Sequence, residues 1–151
     1  MFYGAYGSNL NKSQMAWRCP GASEAGTAVL KDYRLMFKGS KSGAYLTVEK
    51  EKGYEVPLGI WEVNEDHVKS LNRYEGFPDF YYIKEFNLKC NDGKRHKVFV
   101  YIMHEDRKLA TPNSYYIKVC QEGYRDFGFD EDILIDAIFY SRRGENEEDN
   151  T

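Results

Sequence analysis

The chain opens with Phe2-Tyr3-Gly4-Ala5-Tyr6-Gly7-Ser8-Asn9-Leu10, which predicts a short strand running into a glycine turn. Bulky and small residues alternate up to Tyr6, as in a strand with one buried face. Gly7 is able to adopt a positive φ, and the amides of residues 8–10 then converge at the start of a helix capped by Asn11. Such a turn suits a carboxylate or a developing oxyanion, although a plain turn closed by an Asx-type hydrogen bond fits the same residues.

Further strands follow this stretch, because β-branched and aromatic residues recur between glycine-rich breaks. The tetrad Asn91-Asp92-Gly93-Lys94 is a strong hairpin signal between the last two of them. These predicted strands span residues 27–37, 44–49, 56–63, 81–89 and 95–103.

Four helices are predicted from their capping residues. Asn11 caps the first, and Asn64 caps a second over residues 65–75 with Gly76 just past its end. Thr111-Pro112 opens the third, and Asp130 caps a fourth that Gly144 closes. Strands clustered around a few short helices predict an α+β class with peripheral helices and a mixed, largely antiparallel sheet, either open or closed as a small β-barrel.

The composition indicates one cytoplasmic domain over residues 1–144, with a disordered acidic tail at 145–151. A net charge of -3 over 151 residues offers no basic surface for nucleic acid. A mean hydropathy of -0.69 excludes a membrane span, and the first residues lack the basic region of a signal peptide. Three well-separated cysteines and three histidines predict neither a disulfide framework nor a metal site.

Glu75 is an acidic residue on the apolar face of its predicted helix. Val68 and Leu71 define the apolar face, and Glu75 is the next position on that stripe. Burial and the negative end of the helix dipole both disfavour its ionised form, so we expect a raised pKa. A carboxyl tuned toward neutrality suits a general acid and base. The alternative is a helix-terminal glutamate that meets solvent or Arg73.

The opening stretch resembles the Y-G-S-N-L signature of the γ-glutamylcyclotransferase superfamily, which includes AIG2-like and γ-glutamylamine cyclotransferase branches. The resemblance continues through Pro57-Leu58-Gly59-Ile60-Trp61-Glu62-Val63 and Leu71-Asn72-Arg73-Tyr74-Glu75-Gly76, the second of which is similar to the family's L-x-x-x-E-G segment. It extends from Phe2 to about Gly128, most of the chain.

The resemblance implies a small mixed α/β barrel and a cofactor-free reaction in which a γ-glutamyl compound cyclises to 5-oxoproline and releases its amine. It places Glu75 on the catalytic glutamate. It implies that substrate is bound by two groups of residues. Tyr81 remains open as an alternative to Tyr82, and Tyr115 as an alternative to Tyr116. The two groups are Tyr6, Gly7, Ser8, Asn9 and Leu10, and Tyr82, Tyr101 and Tyr116.

Two other functions remain open at this point. One is a specialised cyclotransferase for a γ-glutamylamine or a γ-glutamyl-protected biosynthetic intermediate. The other is a non-catalytic module that binds a small molecule on the same fold. The pairing of the glycine turn with a core-facing acid favours an enzyme. The chain is expected to act as a monomer or a homodimer.

Overall fold

The computed structural model describes residues 1–40 and 43–149, which form one six-stranded sheet and four helices. The strands lie in the order β4-β5-β1-β3-β2-β6. In chain order the elements are β1 (Phe2–Ala5), α1 (Lys12–Arg18), β2 (Ser23–Ser40), β3 (Gly43–Glu62), α2 (Glu65–Glu75), β4 (Tyr81–Lys89), β5 (Arg95–Met103), β6 (Lys108–Leu109), α3 (Ser114–Asp126) and α4 (Asp132–Asp149).

The strands β2 and β3 form one long antiparallel ribbon, so the two strands predicted at 44–49 and 56–63 are a single strand. Gly53 lies between them with φ +93° and does not end the strand. Its amide donates to the Asp32 carboxylate at 3.1 Å, at the point where the register shifts between Lys31 and Tyr33. The glycine therefore marks a β-bulge rather than a turn.

The short strand β1 occupies the middle of the sheet. It pairs antiparallel with β3, with Phe2 opposite Glu62, and parallel with β5, with Phe2 opposite Val98. The predicted hairpin of β4 and β5 is antiparallel. A parallel pair in a largely antiparallel sheet gives the mixed topology that was predicted.

The sheet curls until its β4 edge returns toward β2. Ala28 of β2 bridges to Cys90, just after β4. Further along, the Lys84 ammonium donates to the Tyr33 hydroxyl at 3.1 Å, and the Tyr33 and Phe86 rings meet at 5.5 Å. The predicted α+β class is confirmed, with the barrel present as a curled half-barrel.

The capping predictions hold for α1 and α2 and need correction for α3. Asn11 and Asn64 accept hydrogen bonds from the amides of Gln14 and His67. In α3 the cap is Asn113, whose side chain accepts from the Tyr116 amide at 2.8 Å, so the helix begins two residues later than Thr111-Pro112 predicted. Asparagine is a stronger N-cap than threonine, which favours a helix that begins after Asn113.

The last helix does not end at Gly144 as predicted, since α4 continues through Asp149. Gly144 instead faces the Leu109 side chain of β6, where a Cβ atom would collide. Glu145 accepts a hydrogen bond from the Thr111 amide at 2.5 Å, which ties the segment to the domain. The segment expected to be disordered is thus helical over 145–149, and 150–151 lie outside the described residues. None of the described helices has the length and apolar character to cross a membrane.

Candidate active site

A cavity of about 390 Å³ opens at the end of β1, between the glycine turn and the C-terminal end of α2. Its walls are mostly aromatic, and Arg73 and Glu75 are its charged residues. It is lined by Tyr3, Tyr6, Gly7, Ser8, Asn9, Tyr45, Leu46, Arg73, Tyr74, Glu75, Gly76, Phe80, Tyr81, Tyr101 and Tyr116.

The end of α2 aims Glu75 into this cavity. Leu71 on the same stripe is fully buried, and it fixes which face of the helix meets the sheet. Gly76 then adopts φ +64°, and its amide donates back to the Arg73 carbonyl at 3.3 Å. The left-handed glycine ends the helix one residue after the acid, so Glu75 stays at the cavity instead of continuing into an exposed turn.

The environment of Glu75 raises its pKa to about 7, chiefly because the carboxyl is removed from water. The positive charge of Arg18 acts in the opposite direction. The amide nitrogen Nδ2 of Asn9 donates to Glu75 Oε1 at 3.3 Å. A carboxyl with these neighbours exchanges a proton near neutral pH, as a general acid and base must.

The glycine turn meets the cavity in a different conformation from the one predicted. Gly7 has φ -133°, so a positive φ is not the reason for glycine here. A Cβ atom would instead lie 3.3 Å from Leu46 and 3.4 Å from the Tyr116 hydroxyl. The turn is a short 3-10 helix at Ser8–Leu10, and the Leu10 amide is used within it, donating to the Gly7 carbonyl. Across the described residues, the amides of positions 8 and 9 have no hydrogen-bond partner.

Two predicted binding residues lie outside the cavity. Leu10 is fully buried behind the turn and packs against Gly59 and Gly123. Tyr82 donates to the Glu105 carboxylate beside a second, more polar concavity, whereas Tyr81 lines the cavity. Neighbouring residues of a strand point to opposite faces, so only one of the two tyrosines left open by the sequence reaches the cavity, and it is Tyr81.

The predicted tyrosines at 6, 101 and 116 are brought together at the cavity, and their hydroxyls have protein partners. Tyr6 donates to the Tyr101 carbonyl at 2.6 Å, and Tyr101 donates to the Asn72 side chain at 2.6 Å. Tyr116 accepts from the Leu46 amide at 3.1 Å. Burial raises the pKa of all three phenols, which therefore stay neutral.

Sequence reasoning missed several lining residues. Tyr3 is one of them, although it precedes Tyr6 within the quoted stretch; its hydroxyl accepts from Asn9 Nδ2 at 2.8 Å. Tyr3 could have been predicted from the sequence, because it lies on β1, the strand that leads into the glycine turn. The others include Tyr45, Leu46, Arg73 and Tyr74.

The cysteines do not supply a nucleophile at the cavity. Cys19, Cys90 and Cys120 are buried, and burial raises the pKa of each thiol, that of Cys120 to about 12. A protonated thiol is a poor nucleophile. Over residues 1–40 and 43–149, no three His, Cys, Asp or Glu side chains cluster as metal ligands would.

Comparisons with known proteins agree with this geometry. The model of the family described as "Gamma-glutamyl cyclotransferase, AIG2-like" matches residues 3–120. Gamma-glutamylcyclotransferase from Mus musculus is 30% identical over 138 residues, which cover 86% of this chain and 73% of the relative. The Homo sapiens protein of the same name is 29% identical over 134 residues, covering 83% and 71%.

A solved structure titled "Gamma-glutamyl cyclotransferase" superimposes with a TM-score of 0.78 at 25% identity. The match covers 96% of this chain and 86% of that one. The matched family segment contains the glycine turn, Glu75 and every other residue that lines the cavity, from Tyr3 to Tyr116. The chain is therefore a member of the AIG2-like gamma-glutamyl cyclotransferase family.

Proposed function

We propose that this protein is a γ-glutamylcyclotransferase, which converts a γ-glutamyl amino acid or amine to 5-oxoproline and the free amine. The observation that carries the proposal is a single carboxyl, with its pKa raised to about 7, in a tyrosine-walled cavity beside a glycine turn. Membership of the family and the relatives' names support the same reaction.

Glu75 acts first as the base in the proposed reaction. Its carboxylate takes a proton from the substrate's α-ammonium group, and the free amine then attacks the γ-carbonyl carbon of the same molecule. A carbon–nitrogen bond forms to close the five-membered ring. Because the nucleophile belongs to the substrate, no serine or cysteine is required.

Glu75 then returns the proton to the departing nitrogen as the second carbon–nitrogen bond breaks. Over the cycle the α-nitrogen loses two protons and the leaving nitrogen gains two, ending as an ammonium ion. A pKa near 7 lets one carboxyl serve both steps, because neither protonation state is strongly disfavoured at neutral pH. The reaction needs no cofactor.

The glycine turn holds the oxygen that becomes negative during attack. The amides of Ser8 and Asn9 are without partners among the described residues, and both residues line the cavity. Amides fixed in a helical turn stabilise an oxyanion without reorganising. The aromatic wall folds the glutamyl chain so that its amine approaches its own carbonyl.

Replacing Glu75 tests the proposal directly. Glu75→Gln keeps the size and the hydrogen bond from Asn9 but cannot take a proton, so 5-oxoproline release from γ-glutamyl amino acids should fall at least ~1,000-fold. Mass spectrometry detects the product, and calorimetry should find substrate binding retained.

The matched control is Glu65→Gln, an exposed glutamate in the first turn of the same helix, which should leave turnover unchanged. Activity retained in Glu75→Gln, or lost equally in both variants, contradicts the assignment. A wild-type protein that binds γ-glutamyl compounds without releasing 5-oxoproline would favour the binding module.

A further inference from the structure

Asn9 is held between a cation and the candidate catalytic carboxyl. Its Oδ1 accepts a hydrogen bond from Arg18 Nη1, while its Nδ2 donates to Glu75 Oε1 at 3.3 Å and to the Tyr3 hydroxyl at 2.8 Å. The Asn9 carbonyl accepts from the Trp61 indole at 2.9 Å, which fixes the backbone beneath it. The oxygen of the Asn9 side-chain amide therefore faces a hydrogen-bond donor, and its nitrogen faces acceptors.

Arg18 is itself held on three sides. Its guanidinium carbon lies 3.4 Å from the centre of the Tyr74 ring, in stacking contact, and its Nη2 donates to Gln14 at 3.0 Å. The Tyr74 hydroxyl in turn shares a hydrogen bond with Ser8 at 3.1 Å. A planar guanidinium suits this site, because it stacks on an aromatic ring and donates in two directions at once.

We propose that Arg18 is a positioning residue for Glu75, acting through Asn9. An asparagine amide rotated by 180° would present its oxygen to the Glu75 carboxylate, which repels it. Arg18 prevents that rotation, because a cation beside Oδ1 requires the amide oxygen on its own side. The inference rests on the proposed function for its catalytic consequence, but the contact itself is testable without turnover.

Arg18 also contributes its charge. The titratable and charged groups around Glu75 are Arg18 on α1, Arg73 on its own helix, and the phenols of Tyr3, Tyr6, Tyr74, Tyr81 and Tyr101. Neutral phenols add no positive charge, and Arg18 is the cation that lowers the pKa of Glu75 against the effect of burial. It keeps enough of the carboxyl ionised at neutral pH to act as a base.

The test replaces Arg18 and follows Glu75 in two ways. Arg18→Met removes both the charge and the donor, Arg18→Lys keeps the charge without the planar fork, and Lys12→Met removes another cation from the same helix as a control. The first readout is the side-chain carboxyl ¹³C shift of Glu75 against pH, assigned by its loss in Glu75→Gln. The second is the pH profile of kcat/KM for a γ-glutamyl amino acid.

In Arg18→Met the Glu75 titration midpoint and the acidic limb of the profile should both move up by about half to one pH unit. kcat should fall roughly tenfold or more, as for a misoriented base. Arg18→Lys should keep the midpoint near the wild-type value while losing part of kcat, and Lys12→Met should change neither.

An unmoved carboxyl midpoint in Arg18→Met, or an equal shift in Lys12→Met, overturns the inference. If the wild-type protein releases no 5-oxoproline, the proposed function fails while the NMR titration still decides the role of Arg18. If Arg18→Met fails to fold, Arg18→Gln replaces it in the same titration, because it also lacks the charge.

Discussion

Two charged side chains line the cavity, and they stand two residues apart at the end of α2. Glu75 is largely buried, whereas the exposed Arg73 side chain makes, within the described part of the chain, only a 3.5 Å hydrogen bond to Ser70. The proposed chemistry accounts for Glu75 alone. A cation at the open end of the cavity suits a second negative group on the substrate, such as the carboxylate of a departing amino acid.

Arg73→Gln should therefore separate two substrates that differ only in the leaving group. With γ-glutamylalanine, KM should rise up to about fivefold, because a partly exposed ion pair contributes up to about 1 kcal/mol. With γ-glutamylethylamine, which lacks the carboxylate, KM should stay unchanged. Steady-state kinetics on both substrates gives the answer.

Lys69→Gln on the same helix is the matched control, since Lys69 is exposed and does not line the cavity. It should leave both KM values as they are. An equal rise in KM for the two substrates would place Arg73 on the α-carboxylate that both carry, and would contradict a role in choosing the leaving group.

Among the structural elements, α3 supports the glycine turn from behind. Gly123 of α3 faces residues 10 and 11, where a Cβ atom would lie 2.7 Å from the Asn11 amide nitrogen and 2.8 Å from Leu10 Cβ. The Asn11 side chain also donates to the Val119 carbonyl of the same helix at 3.1 Å. The helix can approach the turn this closely because it has no side chain at position 123.

Gly123→Ala should therefore destabilise the protein, although alanine ordinarily favours a helix by about 1 kcal/mol over glycine. The collision is with backbone, so we expect a loss of about 1–3 kcal/mol in the free energy of unfolding, together with reduced activity as the turn shifts. Urea unfolding measures the first and 5-oxoproline release the second.

Gly144→Ala provides the comparison within α4. Its new methyl group would meet the end of the Leu109 side chain, which is able to rotate away. Its loss of stability should be clearly smaller, and activity should be unchanged. A Gly123→Ala protein as stable as the wild type would show that α3 tolerates displacement from the turn.

The elements also show which features were predictable from the sequence. The orientation of Glu75 was predictable, because the spacing of Val68, Leu71 and Glu75 is a local property of one helix. The choice between Tyr81 and Tyr82 was not, because a strand offers two faces and only its tertiary partners decide which is inward. The break predicted between residues 49 and 56 was wrong, because the bulge at Gly53 depends on Asp32 of the neighbouring strand.

At the scale of the whole molecule, local sequence patterns were enough to predict the class of fold. The site, in contrast, is completed by tertiary contacts. The curl of the sheet was predictable only as a tendency, because the return of β4 to β2 is made by contacts between residues about 50 positions apart, such as Lys84 with Tyr33. Arg18 gave no signal at all. Its role depends on the packing of α1 against α2, which no local pattern specifies.

The same burial that tunes Glu75 affects the stability of the whole protein. Its pKa rises from the usual 4.5 to about 7 on folding, so the folded state binds the proton more tightly than the unfolded state. Burial in the cavity therefore favours the protonated carboxyl over the carboxylate. Stability contributed by the neutral form is fully present below pH 4.5 and is lost as pH rises through about 7.

Glu75→Gln, which is neutral at every pH, should therefore unfold with the same free energy as the wild type near pH 4 and resist unfolding more strongly at pH 8. A shift of this size corresponds to about 3 kcal/mol at pH 8, with most of the gain appearing between about pH 4.5 and 7. Urea unfolding at both pH values measures the difference, and exposed Glu65→Gln should show none. A Glu75→Gln protein no more stable than the wild type at pH 8 would mean that the folded cavity accepts the carboxylate without cost, and the proton exchange near neutrality on which the proposed reaction depends would lose its physical basis.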